Sequence, residues 1–227
     1  MQKNLDFLLE KYAVDTPITL IDRDTATVKG RTLPLLSHRW QRRFVELRNL
    51  TQGGTLSGVS VMRVARILPR GTDLYRALYR ELDLCRFILG REITAIMAVD
   101  APGVLNVMAT AEDGVVCTLE LAATLAEGET PKDKHEIIAA HGIACDVVVD
   151  AQLQQDSIYV FGQENDTYTD VDFELFGLPA EDIAVVRAAF SLARDEDFDA
   201  RVAEDKQLTA LVDLARRSVQ SGEREVL

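Results

Sequence analysis

The sequence predicts an α+β fold of two layers, a mostly antiparallel β-sheet with helices packed on one face and the other face open for oligomerisation. Three observations predict it. A helical stripe over 73–89 gives way after Gly90 to alternation of period 2 that runs to residue 162. The segment 115–124 has one fully apolar face (Val115, Cys117, Leu119, Leu121) and one mixed face (Val116, Thr118, Glu120, Ala122), the pattern of an antiparallel sheet covered on one side. Two amphipathic segments then close the chain, so strands are grouped together and helices flank them.

Taken in order, residues 37–52 read as a helix with Ser37 as cap and Trp40, Phe44 and Leu47 at i, i+4 and i+7, stopped by Gly53-Gly54. The β-rich run 58–68 follows and ends at Pro69-Arg70-Gly71. In 73–89, Thr72 is the expected cap, Leu74, Leu78, Leu82, Cys85 and Leu89 form the apolar stripe, and Gly90 ends the helix. Six strands are expected at 92–99, 104–110, 115–124, 134–140, 143–150 and 157–162, with turns at Asp113-Gly114 and His141-Gly142. Residues 167–177 fit either an edge strand or a loop. The closing helices, 180–194 and 204–220, are expected to join 73–89 on one face of the sheet. On the other face, Ala144, Asp146, Val148 and Asp150 are expected beside Val116 and Ala122.

Composition narrows the function. With 47% apolar and 27% charged residues the chain is an ordinary globular one, without a low-complexity tract. No apolar run reaches the ~18 residues of a membrane span. The start has no basic segment leading into a long apolar stretch, so a cytoplasmic location is expected. Cys85, Cys117 and Cys145, with no C-x-x-C pairing, read as reduced core thiols. A net charge of −12 argues against a nucleic-acid partner. That charge is uneven, +7 over residues 1–91 and −19 over 92–227, so an anionic ligand would favour the first part.

Catalytic signatures are scarce. The G-x-G-x-x-G fingerprint and the P-loop are absent, as are H-E-x-x-H and G-x-S-x-G. His135, His141 and Cys145 have spacings unlike a zinc knuckle, and no metal is expected. His141 reads as a turn residue and His38 as part of a helix first turn.

Several stretches, in order, resemble one family. Residues 80–90, R-E-L-D-L-C-R-F-I-L-G, are similar to the H-x-L-D-L-x-R-W-L-L-G segment of the Gfo/Idh/MocA oxidoreductases. Residues 37–64 resemble the start of that family's C-terminal domain, 106–124 and 134–150 its sheet strands, and 204–227 its final helix. The resemblance covers residues 31–227 and implies a substrate and oligomerisation domain; residues 1–30 read as a remnant N-terminal segment. It also implies an NAD(P)-binding Rossmann domain ahead of the matched region, for which 30 residues leave no room. NAD(P) would therefore come only with a separate Rossmann-domain protein. Leu9-Glu10-Lys11-Tyr12 stands where the family has E-K-P, so the resemblance implies Lys11 as the catalytic candidate. The family's acid–base Asp and His fall on Arg76 and Arg80, and only Asp83 keeps its type. An arginine stays charged and cannot relay a proton.

Arg76, Arg80, Asp83 and Phe87 share one helix face at spacings of 4, 3 and 4 and are the candidate ligand-binding residues. Two guanidiniums there suit a carboxylate or phosphate. The reading is a non-catalytic or cofactor-less relative that binds a sugar-like or anionic ligand or a partner protein. The alternatives are an active oxidoreductase with a borrowed cofactor domain and a structural homo-oligomerisation module. A homodimer or higher homo-oligomer through the sheet face is expected in each case.

Overall fold

The computed structural model describes residues 1–150, 155–169, 176–195 and 198–227. Helix α1 (Gln2–Lys11) precedes a three-stranded antiparallel sheet, β1 (Ile18–Leu20), β2 (Thr25–Val28) and β3 (Arg31–Pro34). A 3-10 turn (Ser37–Trp40) and α2 (Arg42–Gln52) lead into β4 (Val61–Pro69) and α3 (Leu74–Leu89). Seven strands follow: β5 (Ile93–Ala101), β6 (Val104–Ala111), β7 (Val116–Leu125), β8 (Lys132–Ala139), β9 (Gly142–Asp150), β10 (Gln155–Val160) and β11 (Gln163–Thr169). Helices α4 (Ala180–Ala193) and α5 (Phe198–Ser221) and the short β12 (Glu225–Val226) complete the chain.

The large sheet has nine strands in the order β11-β10-β9-β8-β4-β7-β6-β5-β12. Strand β4 lies in its middle, parallel to β7 and antiparallel to β8, and every other pairing is antiparallel. The α+β class and the strand grouping therefore stand as read from the sequence. One face of the sheet is buried beneath α2, α3 and α5. Met62 and Val64 of β4, Leu119 and Leu121 of β7 and Ile137 of β8 meet Phe44 and Leu47, Leu78, Leu82 and Ile88, and Leu208 and Leu211. Each such side chain contributes ~1.5–3 kcal/mol on leaving water.

Helix α4 departs from the expected layout. Its Val185, Ala189 and Leu192 pack with Leu5 of α1 and Ala26, Val28 and Leu33 of the small sheet in a second core. Leu5, Ile18, Ala26, Val28, Leu33 and Leu35 are thus buried in a core with α4, which leaves it unavailable to the large sheet. The first helical region is also divided. Gln41 is extended (φ −76°, ψ 130°), so the 3-10 turn and α2 are separate, and neither has a side-chain cap. Trp40 consequently leaves the apolar stripe and is 40% exposed. Asp73, not Thr72, caps α3 by accepting from the Tyr75 and Arg76 amides; the Thr72 hydroxyl donates instead to the Pro69 carbonyl. Gly90 ends α3 in the left-handed region as expected (φ 68°). A Cβ there would also approach the Gln52 amide at 2.8 Å.

On β9 the faces are the reverse of those expected. Across the β8–β9 hairpin Ile137 pairs with Ala144 and His135 with Asp146, so Ala144 and Asp146 point into the core. Ile143 and Cys145 take the open face, where Cys145 is half-buried while Cys85 and Cys117 lie in the core. Val116, Thr118 and Ala122 are half-covered and Glu120 is exposed, as the mixed face of β7 requires. Residues 167–169 finish β11; residues 170–175, and the side chains of Val148 and Asp150, lie outside the described residues. No described helix is long and apolar enough to cross a membrane.

Candidate functional site

A cleft of about 650 Å³ opens between the small sheet and the first half of α3. Its walls come from the end of β3, the 3-10 turn, the end of β4 and the helix, and they bring Arg66, Arg76, Tyr79, Arg80 and His38 to one space. The alternation along β4 explains Arg66. It lies between the inward Val64 and Leu68 and so faces the helix layer, where Glu81 Oε1 accepts from Arg66 Nη1 at 2.7 Å. Arg80 binds the same Oε1 atom and lies 5.5 Å from the Phe44 ring. Burial alone would raise the Glu81 carboxyl, but Arg80 and Arg66 hold it well below the usual carboxylate range.

Behind the cleft wall the charges continue into the core. The fully buried His135 sits between two carboxylates, with Nδ1 at 3.1 Å from Asp146 and Nε2 at 3.5 Å from Glu81. The second contact is too long for a good hydrogen bond and acts as an ion pair. Burial pushes His135 down, yet Asp146 and Glu81 outweigh it and raise its pKa to about 9. Asp133, His135 and Asp146 bring three possible metal-ligand atoms within 4.8 Å. Arg43 Nη1 donates to both of those aspartates, at 2.7 and 3.0 Å, so the arginine already holds the position a cation would take.

A second buried group stands beside the first. Asp83 accepts from His38 Nε2 at 2.5 Å and from Arg39, which also reaches Glu204 at 2.6 Å. Burial lowers the pKa of His38 despite the carboxylate, so the ring is neutral near neutral pH. Asp83 itself is held at about 2: burial raises it, and His38 and Arg39 more than reverse that. With Nε2 tied to Asp83, Nδ1 is the ring nitrogen left to take or give a proton. Tyr79 donates to Asp205 at 2.8 Å, and burial together with that carboxylate pushes its pKa up.

The residues picked from the sequence are therefore dispersed. Arg76 and Arg80 share the cleft, but Arg76 is half-exposed and bonds to Asp22 and Asp24 at 3.0 and 2.7 Å. Asp83 lies under the 3-10 turn. Phe87 faces a different cleft, its ring 4.9 Å from Arg48. Lys11 is on the surface over Phe7 and Tyr12. Sequence reasoning missed Arg66, His38 and Tyr79. Arg66 interrupts the apolar stretch of β4 and could have been flagged for that; nothing in sequence points to the His38–Asp83 pair, whose members are 45 residues apart.

No family model and no curated protein matches the sequence. Solved structures do share the fold. Levoglucosan dehydrogenase in complex with NADH and levoglucosan superposes with a TM-score of 0.62 at 14% identity, over 85% of this chain and 64% of that one. Aldose-aldose oxidoreductase from Caulobacter crescentus, complexed with glycerol, gives 0.60 at 15% identity over 84% and 62%. Apo scyllo-inositol dehydrogenase from Lactobacillus casei gives 0.59 at 15% identity over 84% and 62%. The chain spans less than two thirds of the length of each. These neighbours are Gfo/Idh/MocA-type oxidoreductases, and the chain shares their fold over 84–85% of its length.

Proposed function

We propose that this chain is a ligand-binding relative of the Gfo/Idh/MocA oxidoreductases that holds a small hydroxylated or anionic molecule in the Arg66–Arg80 cleft without itself transferring hydride. One observation carries the reading. Where the family resemblance calls for the proton-relaying histidine, Arg80 is fastened to Glu81 beside a second arginine. Two guanidiniums on one carboxylate oxygen keep donors to spare for a ligand oxyanion, while Asp24, Asp73 and Asp205 on the cleft wall can accept from hydroxyls. Calorimetric titration with myo-inositol, gluconate and inorganic phosphate tests it. Binding of at least one, weakened about tenfold or more in Arg80→Ala, is the expected result, since bonds to charged groups contribute ~1.5–3 kcal/mol. Turnover of a polyol with NAD(P) by the isolated chain would overturn it.

The His38–Asp83 pair on the same cleft favours a second reading, an oxidoreductase whose NAD(P) arrives with a Rossmann-domain partner. There His38 would take the hydroxyl proton through Nδ1, Asp83 would hold the ring, and the partner's cofactor would accept the hydride. Quenching of NADH fluorescence only when a lone Rossmann-domain protein is mixed with this chain, with polyol oxidation lost in His38→Ala, is the signature of that reading.

A further inference from the structure

We infer a second ligand site, at the other end of α3, that takes an organic anion with a flat apolar body. A cleft of about 590 Å³ lies between the 3-10 turn, α2, the last turn of α3 and the two closing helices. It shares a wall with the first cleft at Leu33, Pro34, Leu36 and Asp205, but the arginines of the two are different residues.

Arg86 is the observation that points to a ligand. Its side chain is only 8% exposed, and Nε and Nη2 are bonded to Glu92 at 2.9 and 2.8 Å. Nη1 is buried with no acceptor among the described residues. A buried guanidinium N–H left unbonded is unfavourable, and an oxyanion entering the cleft supplies the missing acceptor. Arg48 lies nearby, exposed, 4.9 Å from the Phe87 ring and with no carboxylate partner among the described residues. Five arginines line this cleft against three carboxylates, Glu92, Glu204 and Asp205, in a chain whose net charge is −12. The carbonyls of the last turn of α3 would repel an anion, but the Gln52 amide already bonds those of Phe87 and Ile88.

Much of the remaining wall is apolar. Trp40, 40% exposed in all, lines it together with Val45 and Leu192. A half-exposed indole near the Arg48 guanidinium and the unbonded Arg86 Nη1 suits a planar ring carrying a carboxylate or phosphate, the ring on Trp40 and the oxyanion toward Arg48 and Arg86. A free inorganic anion would leave the apolar wall wet, and a neutral sugar would leave the Arg48 charge without a counter-ion.

Trp40 is the chain's single tryptophan and lines this cleft, so its emission responds to a ligand there, and the Arg48 and Arg86 variants separate that response from the neighbouring hollow that Trp40 also borders. Benzoate and phenyl phosphate should each be titrated into the full chain, with benzamide as the neutral counterpart. Saturable quenching by either anion and none by benzamide is expected, with an affinity at least about tenfold weaker in Arg86→Gln and in Arg48→Ala. The second variant removes an exposed group without an ion-pair partner among the described residues, so the fold is expected to survive it. Arg80→Ala should leave this titration unchanged, which separates the site from the first cleft. Absence of saturation by both anions, equal binding of benzamide, or unchanged affinity in Arg48→Ala and Arg86→Gln would each overturn the inference.

Discussion

His135 carries its charge inside a packed core because Asp146 and Glu81 bracket the ring, and that has a consequence for pH. Its folded pKa is raised to about 9 from an ordinary value near 6.5. Stability from the charged ring is fully present below about pH 6.5 and is lost as pH rises through 9, on the order of 3 kcal/mol in all. The melting temperature of the wild type should therefore fall between pH 7 and 9.5. His135→Gln should be less stable at pH 7 by ~3–5 kcal/mol, because it strands buried carboxylates, and should lose most of that alkaline slope. A slope unchanged in the variant would assign the alkaline loss to other groups. Arg76 behaves differently. Its partners Asp22 and Asp24 are exposed, so Arg76→Ala should cost less than about 1 kcal/mol by urea denaturation and leave anion affinity in the cleft nearly unchanged. The helix-face spacing placed Arg76 and Arg80 together correctly, but it could not show that Arg76 is spoken for by a loop 54 residues away.

Elements differ in how openly their sequences announce them. The strands from β5 to β10 are legible because one face is apolar and the other mixed, so the period of 2 survives over many residues. Strands β1, β2 and β3 have three or four residues each, too few for a period to show. Helix α4 was found but misplaced. Nine of its fourteen residues are buried, so its apolar surface fits either layer and does not name its partner. The small core that it forms with α1 depends on few side chains. Leu5 is fully buried at its centre, and Leu5→Ala should cost about 2–5 kcal/mol. That loss should fall on one unit: amide exchange should accelerate in α1, the small sheet and α4 while β6 and β7 keep their protection. Acceleration spread evenly over both cores would mean that the two melt as one.

At the scale of the whole molecule, the open face of the nine-stranded sheet carries apolar side chains that a single chain leaves uncovered. Adjacent strands place Met97, Met108, Thr118, Arg63, Glu136 and Cys145 in one row across it. Met97 and Met108 are 40% and 49% exposed, and Val99, Ile67 and Ile143 add to the apolar area. Methionines on an exposed sheet are adaptable contact residues, and this face is therefore where self-association is expected. The charged members, Arg63, Lys134, Glu120 and Glu136, carry both signs, so a two-fold axis can set arginine or lysine against glutamate instead of like against like. Sheet packed on sheet at about 10 Å then covers the methionines. The competing arrangement is a monomer with a wet outer face, which antiparallel sheets tolerate. Light scattering at micromolar concentration decides between them. The chain should run at twice its 25.2 kDa or a higher multiple, and Met97→Glu combined with Met108→Glu should return it to 25.2 kDa with its helix and strand content unchanged. A wild-type mass of 25.2 kDa would leave the face wet and the dimer without support.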